Sequence, residues 1–90
     1  MGYRDWLAWK KDEDYINRLK LYELAFDSYP ESSRINYYVA YYSMKRGLND
    51  QAKRFYHQAL SALESDEDLN ANEKTRLRNY ATEDLNSLDE

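Results

Sequence analysis

Apolar side chains recur along this chain at the intervals of an α-helix. The clearest series has successive spacings of four, three, four and three residues, which place its members on one side of a helix. These members are Tyr15, Leu19, Tyr22, Phe26 and Tyr29. Pro30 follows directly and ends the helix, because proline lacks an amide hydrogen and disfavours helical geometry at the residue before it.

The segment before this series is predicted to form a short helix of its own over residues 3–11. Its apolar members are Trp6, Leu7 and Trp9. Three acidic residues follow at positions 12–14, and carboxylates stabilise the first turn of a helix, where the amide groups carry partial positive charge. We therefore expect one helix to end and a second to begin at these acidic residues.

A third helix is predicted over residues 34–46. Ser32 or Ser33 is a suitable N-cap, since a hydroxyl can accept a hydrogen bond from a free amide of the first turn. Gly47 follows the helix and suits the left-handed conformation that often ends one, because it has no Cβ. A tight turn is expected after it.

Two more helices are predicted beyond this turn, over residues 51 to about 64 and about 72 to 88. Asp50 is the expected N-cap of the first of these, and the polar segment between the two is expected to be a loop. The last helix has one apolar face, which is typical of a helix that closes the end of an array. The pattern as a whole predicts a single all-α domain of about five helices over residues 1–90.

Composition agrees with helices joined by short connections. Of the 90 residues 42% are hydrophobic, enough for one folded domain, whereas two glycines and one proline are too few for the many turns of an all-β protein. The absence of cysteine excludes disulfides, thiolate metal sites and cysteine nucleophiles. No apolar run is long enough for a membrane span or a signal peptide, so we expect no membrane partner and favour the cytoplasm.

The chain partly repeats itself at an interval of 34 residues, which places Tyr22 on Tyr56 and Ala25 on Ala59. Small residues allow paired helices to approach closely, and an aromatic ring fills the space between them. Residues of these two kinds, together with the glycine of the turn, occur at fixed spacings: Ala40, Gly47, Ala52, Tyr56 and Ala59.

These residues resemble the pattern of the tetratricopeptide repeat family. The resemblance implies a right-handed superhelix of antiparallel helix pairs, with a partial first repeat over residues 3–30, a complete repeat over 33–64 and a capping helix over 70–88. The chain departs from the family pattern at three positions where apolar or aromatic residues are expected: Asn36, Ser43 and Asn49.

Two registers are open for the third helix. In the register of the family, the buried positions fall on Asn36, Ala40 and Ser43. A shift by one residue would lengthen the turn and would bury a different set: Ile35, Tyr38, Val39 and Tyr42.

The third helix carries tyrosines at 37, 38, 41 and 42, and so small a domain cannot bury all four. In the register of the family, the resemblance places one set of residues on the concave side, where such repeats bind extended peptides: Arg34, Tyr37, Tyr41, Met44 and Lys45. An aromatic and basic strip suits a peptide with apolar side chains and a carboxylate. The family's best-known peptide clamp has a lysine and an asparagine where Tyr37 and Tyr41 stand, so chaperone C-terminal tails are not the expected ligand.

Tyrosines elsewhere on helical stripes are expected to lie in the core with their hydroxyls reaching the surface. They are Tyr15, Tyr22, Tyr29, Tyr56 and Tyr80.

The sequence offers no set of residues for catalysis or metal binding. His57 is the one histidine and is expected on a polar helix face, and the acidic run 64–68 lacks the glycine and ligand spacing of a calcium loop. Basic residues flank the predicted turn, but residues 64–90 hold nine acidic residues against three basic ones, which disfavours binding to nucleic acid. We therefore predict neither an enzyme nor a nucleic-acid-binding protein, and no cofactor.

The predicted function is a non-catalytic interaction module that binds a protein or peptide partner through the concave helix face. An alternative from another class is a helical appendage of a larger enzyme, for instance a hydrolase, in which exposed aromatic residues such as Trp6 and Trp9 seal a domain or homodimer interface. A third hypothesis is an unrelated helical bundle in which the 34-residue match is accidental.

Overall fold

The computed structural model describes the backbone of residues 3–89 and the side chains of residues 13–89. Over the described backbone the chain forms α-helices and no strand, which confirms the all-α prediction. The helices are α1 (Tyr3–Ser28), α2 (Ser33–Lys45), α3 (Asn49–Ala62) and α4 (Ala71–Leu88).

The N-terminal part of the chain forms one helix where two were predicted. α1 continues for 26 residues without a break at the acidic residues 12–14, so residues 3–89 hold four helices rather than about five. No glycine or proline lies within α1, and carboxylates alone do not end a helix, because they leave the backbone hydrogen bonds intact. Trp6, Leu7 and Trp9 lie outside the residues whose side chains are described. As far as the description extends, no helix has both the length and the apolar character needed to cross a membrane.

The ends of α2 follow from two short-range signals. Ser32 is the N-cap, and its Oγ accepts a hydrogen bond from the Ile35 amide at 3.3 Å. Gly47 has a φ of 79°, which confirms the predicted left-handed conformation after the helix. Its amide donates to the Met44 carbonyl at 3.0 Å, and the Leu48 amide donates to the Ser43 carbonyl at 2.9 Å. These two bonds form a Schellman motif, which ends α2 at Lys45.

The starts of α3 and α4 differ from the prediction. α3 begins at Asn49 with Leu48 as N-cap and no side-chain capping bond, so the prediction of Asp50 as N-cap is wrong. The turn at Gly47 is so tight that the new helix starts before Asp50, which lies in the first turn and still favours the helix dipole there. α4 begins with a capping box: the Glu73 amide donates to Asn70 Oδ1 at 2.8 Å, and Glu73 Oε1 accepts from the Asn70 amide at 3.2 Å.

α2 is the central element and contacts each of the other three helices. Short connections make α1, α2 and α3 run alternately up and down, and α4 packs on α3 and α2. The main core cluster lies among these helices and includes Val39, Ala40, Ala52, Phe55 and Tyr56. A second cluster lies where α4 meets α3, and it consists of Ala59, Leu63, Leu69 and Leu77.

The structure decides between the two registers of α2. Asn36, Ala40 and Ser43 are all fully buried. Of the shifted set, Val39 is fully buried, whereas Ile35, Tyr38 and Tyr42 are only half-buried. Asn36 can be buried because its side-chain nitrogen is hydrogen-bonded. It donates to the backbone carbonyls of Pro30 at 3.0 Å and Ser32 at 2.8 Å, both in the connection between α1 and α2.

The loop between α3 and α4 is anchored to the start of α2. Asp66 is buried, and its Oδ2 accepts hydrogen bonds from the Ser33 amide at 2.9 Å and the Ser33 hydroxyl at 2.7 Å. Its Oδ1 accepts from the Asp68 amide at 3.0 Å. Burial raises the pKa of Asp66, but these hydrogen bonds and the charge of Lys74 outweigh burial, so the pKa lies below its ordinary value. Asp66 therefore holds the acidic loop against the start of α2.

Candidate functional site

Tyrosine rings form the junction between α1 and α2. Tyr22 stacks on Tyr38 with ring centroids 4.8 Å apart, and on Tyr42 at 5.6 Å. Tyr15 extends the group by a tilted contact with Tyr42 at 6.2 Å. All four side chains are half-buried, so this junction is aromatic and remains in contact with solvent.

Tyr37 and Tyr41 lie around the helix from this group, on the side of α2 that turns toward α4. The Tyr37 ring lies 5.8 Å from the Tyr56 ring. Burial, reinforced by the nearby negative charge of Asp84, raises the pKa of Tyr37 to about 12. Tyr41 lies closer to the surface, where the Lys45 ammonium sits 5.3 Å from its ring centroid in a cation–π arrangement.

Tyr56 is the aromatic residue at the centre of the core. It is fully buried, and its hydroxyl donates to Asp84 Oδ2 of α4 at 2.7 Å and lies 3.9 Å from the Met44 sulfur. Burial raises the pKa of Tyr56, and the hydrogen bond to Asp84 raises it further. Tyr56 therefore links α3 to α4 as a neutral phenol.

The expectation that these tyrosine rings lie in the core is confirmed for Tyr56 and wrong for two others. The Tyr56 hydroxyl does not reach the surface as expected, because the residue is fully buried and bonded to Asp84. Tyr29 is 65% exposed because it follows the last residue of α1 and lies in the connection to α2. Tyr80 is 49% exposed because it faces a cleft between α4 and α2 rather than the core. Tyr15 and Tyr22 are half-buried in the junction described above.

The five residues predicted for partner binding do not form one open strip, because α4 packs beside them. Arg34 Nη2 donates to Glu73 Oε2 at 2.8 Å, so Arg34 is paired with a residue of α4. Tyr37 and Met44 are half-buried against the main core cluster. Of the predicted set, Tyr41 and Lys45 are in contact with each other at the surface.

A cleft of about 290 Å³ lies where α2 and α4 diverge, and it is the candidate binding site. Its wall from α2 includes Arg34 and Tyr37 of the predicted set. The other lining residues are Tyr38, Leu69, Glu73, Arg76, Leu77 and Tyr80.

Sequence reasoning missed the half of the cleft that α4 provides. Leu77 and Tyr80 are three residues apart and were assigned to one apolar face. In the structure Leu77 is buried and Tyr80 is half-exposed at the edge of that face. The capping box at Asn70 and Glu73 was the signal that could have fixed the start of α4 and placed Arg76 one turn further along it.

Other depressions occur elsewhere on the surface. One of about 410 Å³ lies between the two connecting loops and is lined by residues 28–32 and 65–68. A wider one lies between α1 and α3 and includes the exposed His57. Among the residues whose side chains are described, no group of three or more His, Cys, Asp and Glu is arranged to hold a metal ion.

Comparisons of this chain with protein family models, with curated proteins and with solved structures find no match. The all-α fold and the aromatic, basic cleft are therefore the features from which a function can be inferred.

Proposed function

We propose that this protein is a non-catalytic interaction module that binds a protein or peptide segment in the cleft between α2 and α4. The observation that carries the proposal is the meeting of solvent-accessible tyrosine rings and exposed arginines at a junction of two helices. Clefts of this kind combine apolar contact with a few charged groups that fix the orientation of a ligand.

The side chains of the cleft suit a polypeptide ligand. Tyr37, Tyr38 and Tyr80 provide flat apolar surface with two side-chain torsions each, so little conformational entropy is lost when a partner packs on them. Arg34 and Arg76 provide guanidinium groups that can form paired hydrogen bonds with carboxylates. Tyrosine and arginine are also the residue types that contribute most to the binding energy of protein interfaces.

We further propose that the helices form a tetratricopeptide-like array. Three features of the structure support this assignment. α1 and α3 end at Ser28 and Ala62, which are 34 residues apart. The small residues Ala40, Ala52 and Ala59 are fully buried, and α4 packs on the preceding helix pair as a capping helix would.

The proposal of a non-enzymatic role is supported by the structural roles of the residues whose pKa values are shifted. Asp66 holds the start of α2, and Tyr56 links α3 to α4. Tyr22 and Tyr37 have raised pKa values because they are partly buried among other rings. Among the described residues, therefore, each shifted group is explained by packing or by a structural hydrogen bond.

Affinity capture with matched variants tests the binding site. A cleft variant, Arg76→Ala with Tyr80→Ala, removes two exposed groups without touching the core. A control variant, Arg78→Ala with Tyr29→Ala, removes the same residue types from exposed positions outside the cleft. We expect partners retained by the wild type and the control to be lost by the cleft variant. Equal retention by both variants would remove the cleft as the binding site.

A second candidate function rests on a different surface. Leu21 and Leu24 are 65% and 66% exposed on α1, and large apolar side chains left open on one helix favour packing against another domain or a second copy. In this reading the chain is a helical part of a larger protein, for instance a hydrolytic enzyme, or a homodimer. Sedimentation of the wild type and of Leu21→Gln with Leu24→Gln tests the homodimer. A monomer in both cases argues against self-association.

The predicted cytoplasmic location stays a prediction, as does the absence of a nucleic-acid partner.

A further inference from the structure

One carboxylate of the protein already occupies the cleft. Glu73 Oε2 accepts a hydrogen bond from Arg34 Nη2 at 2.8 Å, and the two residues are 39 positions apart in the sequence. Both side chains remain in contact with solvent, with exposures of 54% for Arg34 and 38% for Glu73. The ion pair therefore spans the cleft at a place that a ligand can reach.

Glu73 is held at both oxygens. Its Oε1 accepts from the Asn70 amide at 3.2 Å as part of the capping box, while Oε2 is directed to Arg34. The position of this carboxylate is thus fixed by the start of α4. It shows where a carboxylate must lie to meet Arg34 in this cleft.

The cleft has more hydrogen-bonding capacity for anions than Glu73 uses. A guanidinium has five N–H donors, and the ion pair with Glu73 engages one nitrogen of Arg34. Arg76 lines the same cleft, and the structure gives it no ion pair with any described carboxylate. Two cations and one internal carboxylate thus line the cleft, beside the rings of Tyr37, Tyr38 and Tyr80.

We propose that Glu73 is an internal competitor for the ligand, and that the ligand is an acidic peptide segment whose side-chain carboxylates bind Arg34 and Arg76 while a neighbouring aromatic side chain packs on the tyrosines. This inference rests on the proposed function and specifies the class of partner. The positive charge of the two arginines favours an acidic peptide, because a basic peptide would meet them with like charge.

Glu73→Gln is the informative variant because glutamine is also accepted at this position of a capping box. The start of α4 is therefore kept while the negative charge is removed. Glu83→Gln is the matched control, since Glu83 is exposed on the same helix, lies outside the cleft and has no ion pair among the described residues. Circular dichroism of both variants checks that helix content is unchanged.

The probe is the synthetic peptide acetyl-Glu-Phe-Glu-Phe-amide, with acetyl-Gln-Phe-Gln-Phe-amide as its neutral counterpart. Binding is measured by NMR titration that follows the Arg34 and Arg76 side-chain Nε–H signals. We expect the acidic peptide to shift both signals and to bind Glu73→Gln about two to five times more tightly than the wild type, the range of a solvent-exposed ion pair. Glu83→Gln should bind the acidic peptide no more than marginally better than the wild type.

Three results would overturn the inference: equal affinity for the acidic and neutral peptides, equal gains in Glu73→Gln and Glu83→Gln, or no shift of either arginine signal. Each of these is distinguishable from failure of the proposed function. If the capture experiment still loses its partner on Arg76→Ala with Tyr80→Ala, the cleft binds a partner of other chemistry. If the cleft variant also retains its partners, both proposals fall.

Discussion

Two helix junctions in this molecule are built from different side chains. The junction of α1 with α2 includes tyrosine rings stacked at 4.8 and 5.6 Å, and each ring keeps part of its surface in water, while Leu19 of α1 is buried in the core beneath them. The junction of α3 with α4 includes a cluster of alanine and leucine side chains that are almost completely buried, beside the hydrogen bond from Tyr56 to Asp84. The same central pair of helices is thus joined to its neighbours in two chemically different ways.

The two junctions differ in how completely their side chains must be removed from water. A leucine contributes to folding only through the area it removes from water, so a leucine junction must be closed. A tyrosine contributes by ring stacking while its hydroxyl stays solvated, so a tyrosine junction can be open. The aliphatic junction therefore fixes α4 in place, whereas the tyrosines between α1 and α2 keep part of their surface in water.

The largest effect is expected from opening the aliphatic junction. Leu63→Ala removes a side chain that is 1% exposed, and should lower the free energy of unfolding by about 3 kcal/mol, since it combines lost burial with a cavity. Urea denaturation followed by circular dichroism measures this change. Leu24→Ala, at an exposed position, should change the free energy by less than about 0.5 kcal/mol. A loss below about 1 kcal/mol for Leu63→Ala would mean that this junction does not hold α4.

The parts of the fold that were predictable depend on neighbours in the sequence. Gly47 ends α2 because of its own backbone freedom, and Ser32 caps the same helix through a bond to a residue three positions away. Asp12 to Asp14 show the limit of such signals: acidic residues favour a helix start but are also accepted inside a helix, so the predicted break in α1 is absent.

The parts that were not predictable depend on distant residues. The register of α2 is decided by burial of Asn36 and Ser43, whereas the periodicity of the sequence equally allowed a shift by one residue. The contact of Glu73 with Arg34 was not predictable, because nothing in the sequence shows that these two residues meet. The cleft arises from the position of α4, and periodicity defines the faces of a helix without fixing what they pack against.

A smaller effect is expected from releasing the loop that leads into the aliphatic junction. Asp66→Asn replaces an acceptor of two hydrogen bonds from Ser33 with a side chain that has one carbonyl oxygen and no charge. We expect a loss of about 2 kcal/mol in the free energy of unfolding at pH 7, within the range for a buried polar group that loses charged hydrogen bonds. Glu67→Asn is the control, since Glu67 is exposed and adjacent.

The difference in stability between the wild type and Asp66→Asn should depend on pH. Because the pKa of Asp66 is lowered in the folded state, the carboxylate stabilises the fold above the ordinary aspartate pKa of about 3.9. This stabilisation is lost as the pH falls through the folded-state pKa. The difference in stability between wild type and Asp66→Asn should therefore be constant near neutral pH and shrink below about pH 4. A difference that persists unchanged into acid would contradict a stabilising role of the ionised Asp66 carboxylate.

The smallest effect is expected from the tyrosine junction. Tyr22→Leu keeps an apolar side chain against α2 but removes the two stacked contacts with Tyr38 and Tyr42, which should cost about 1 kcal/mol and weaken the near-ultraviolet circular dichroism of the rings. Tyr29→Leu, in the exposed connection, should leave both signals nearly unchanged. If Tyr22→Leu destabilises the protein as much as Leu63→Ala, the tyrosines are a closed structural junction after all. The distinction between a closed aliphatic junction and an open tyrosine junction would then fail.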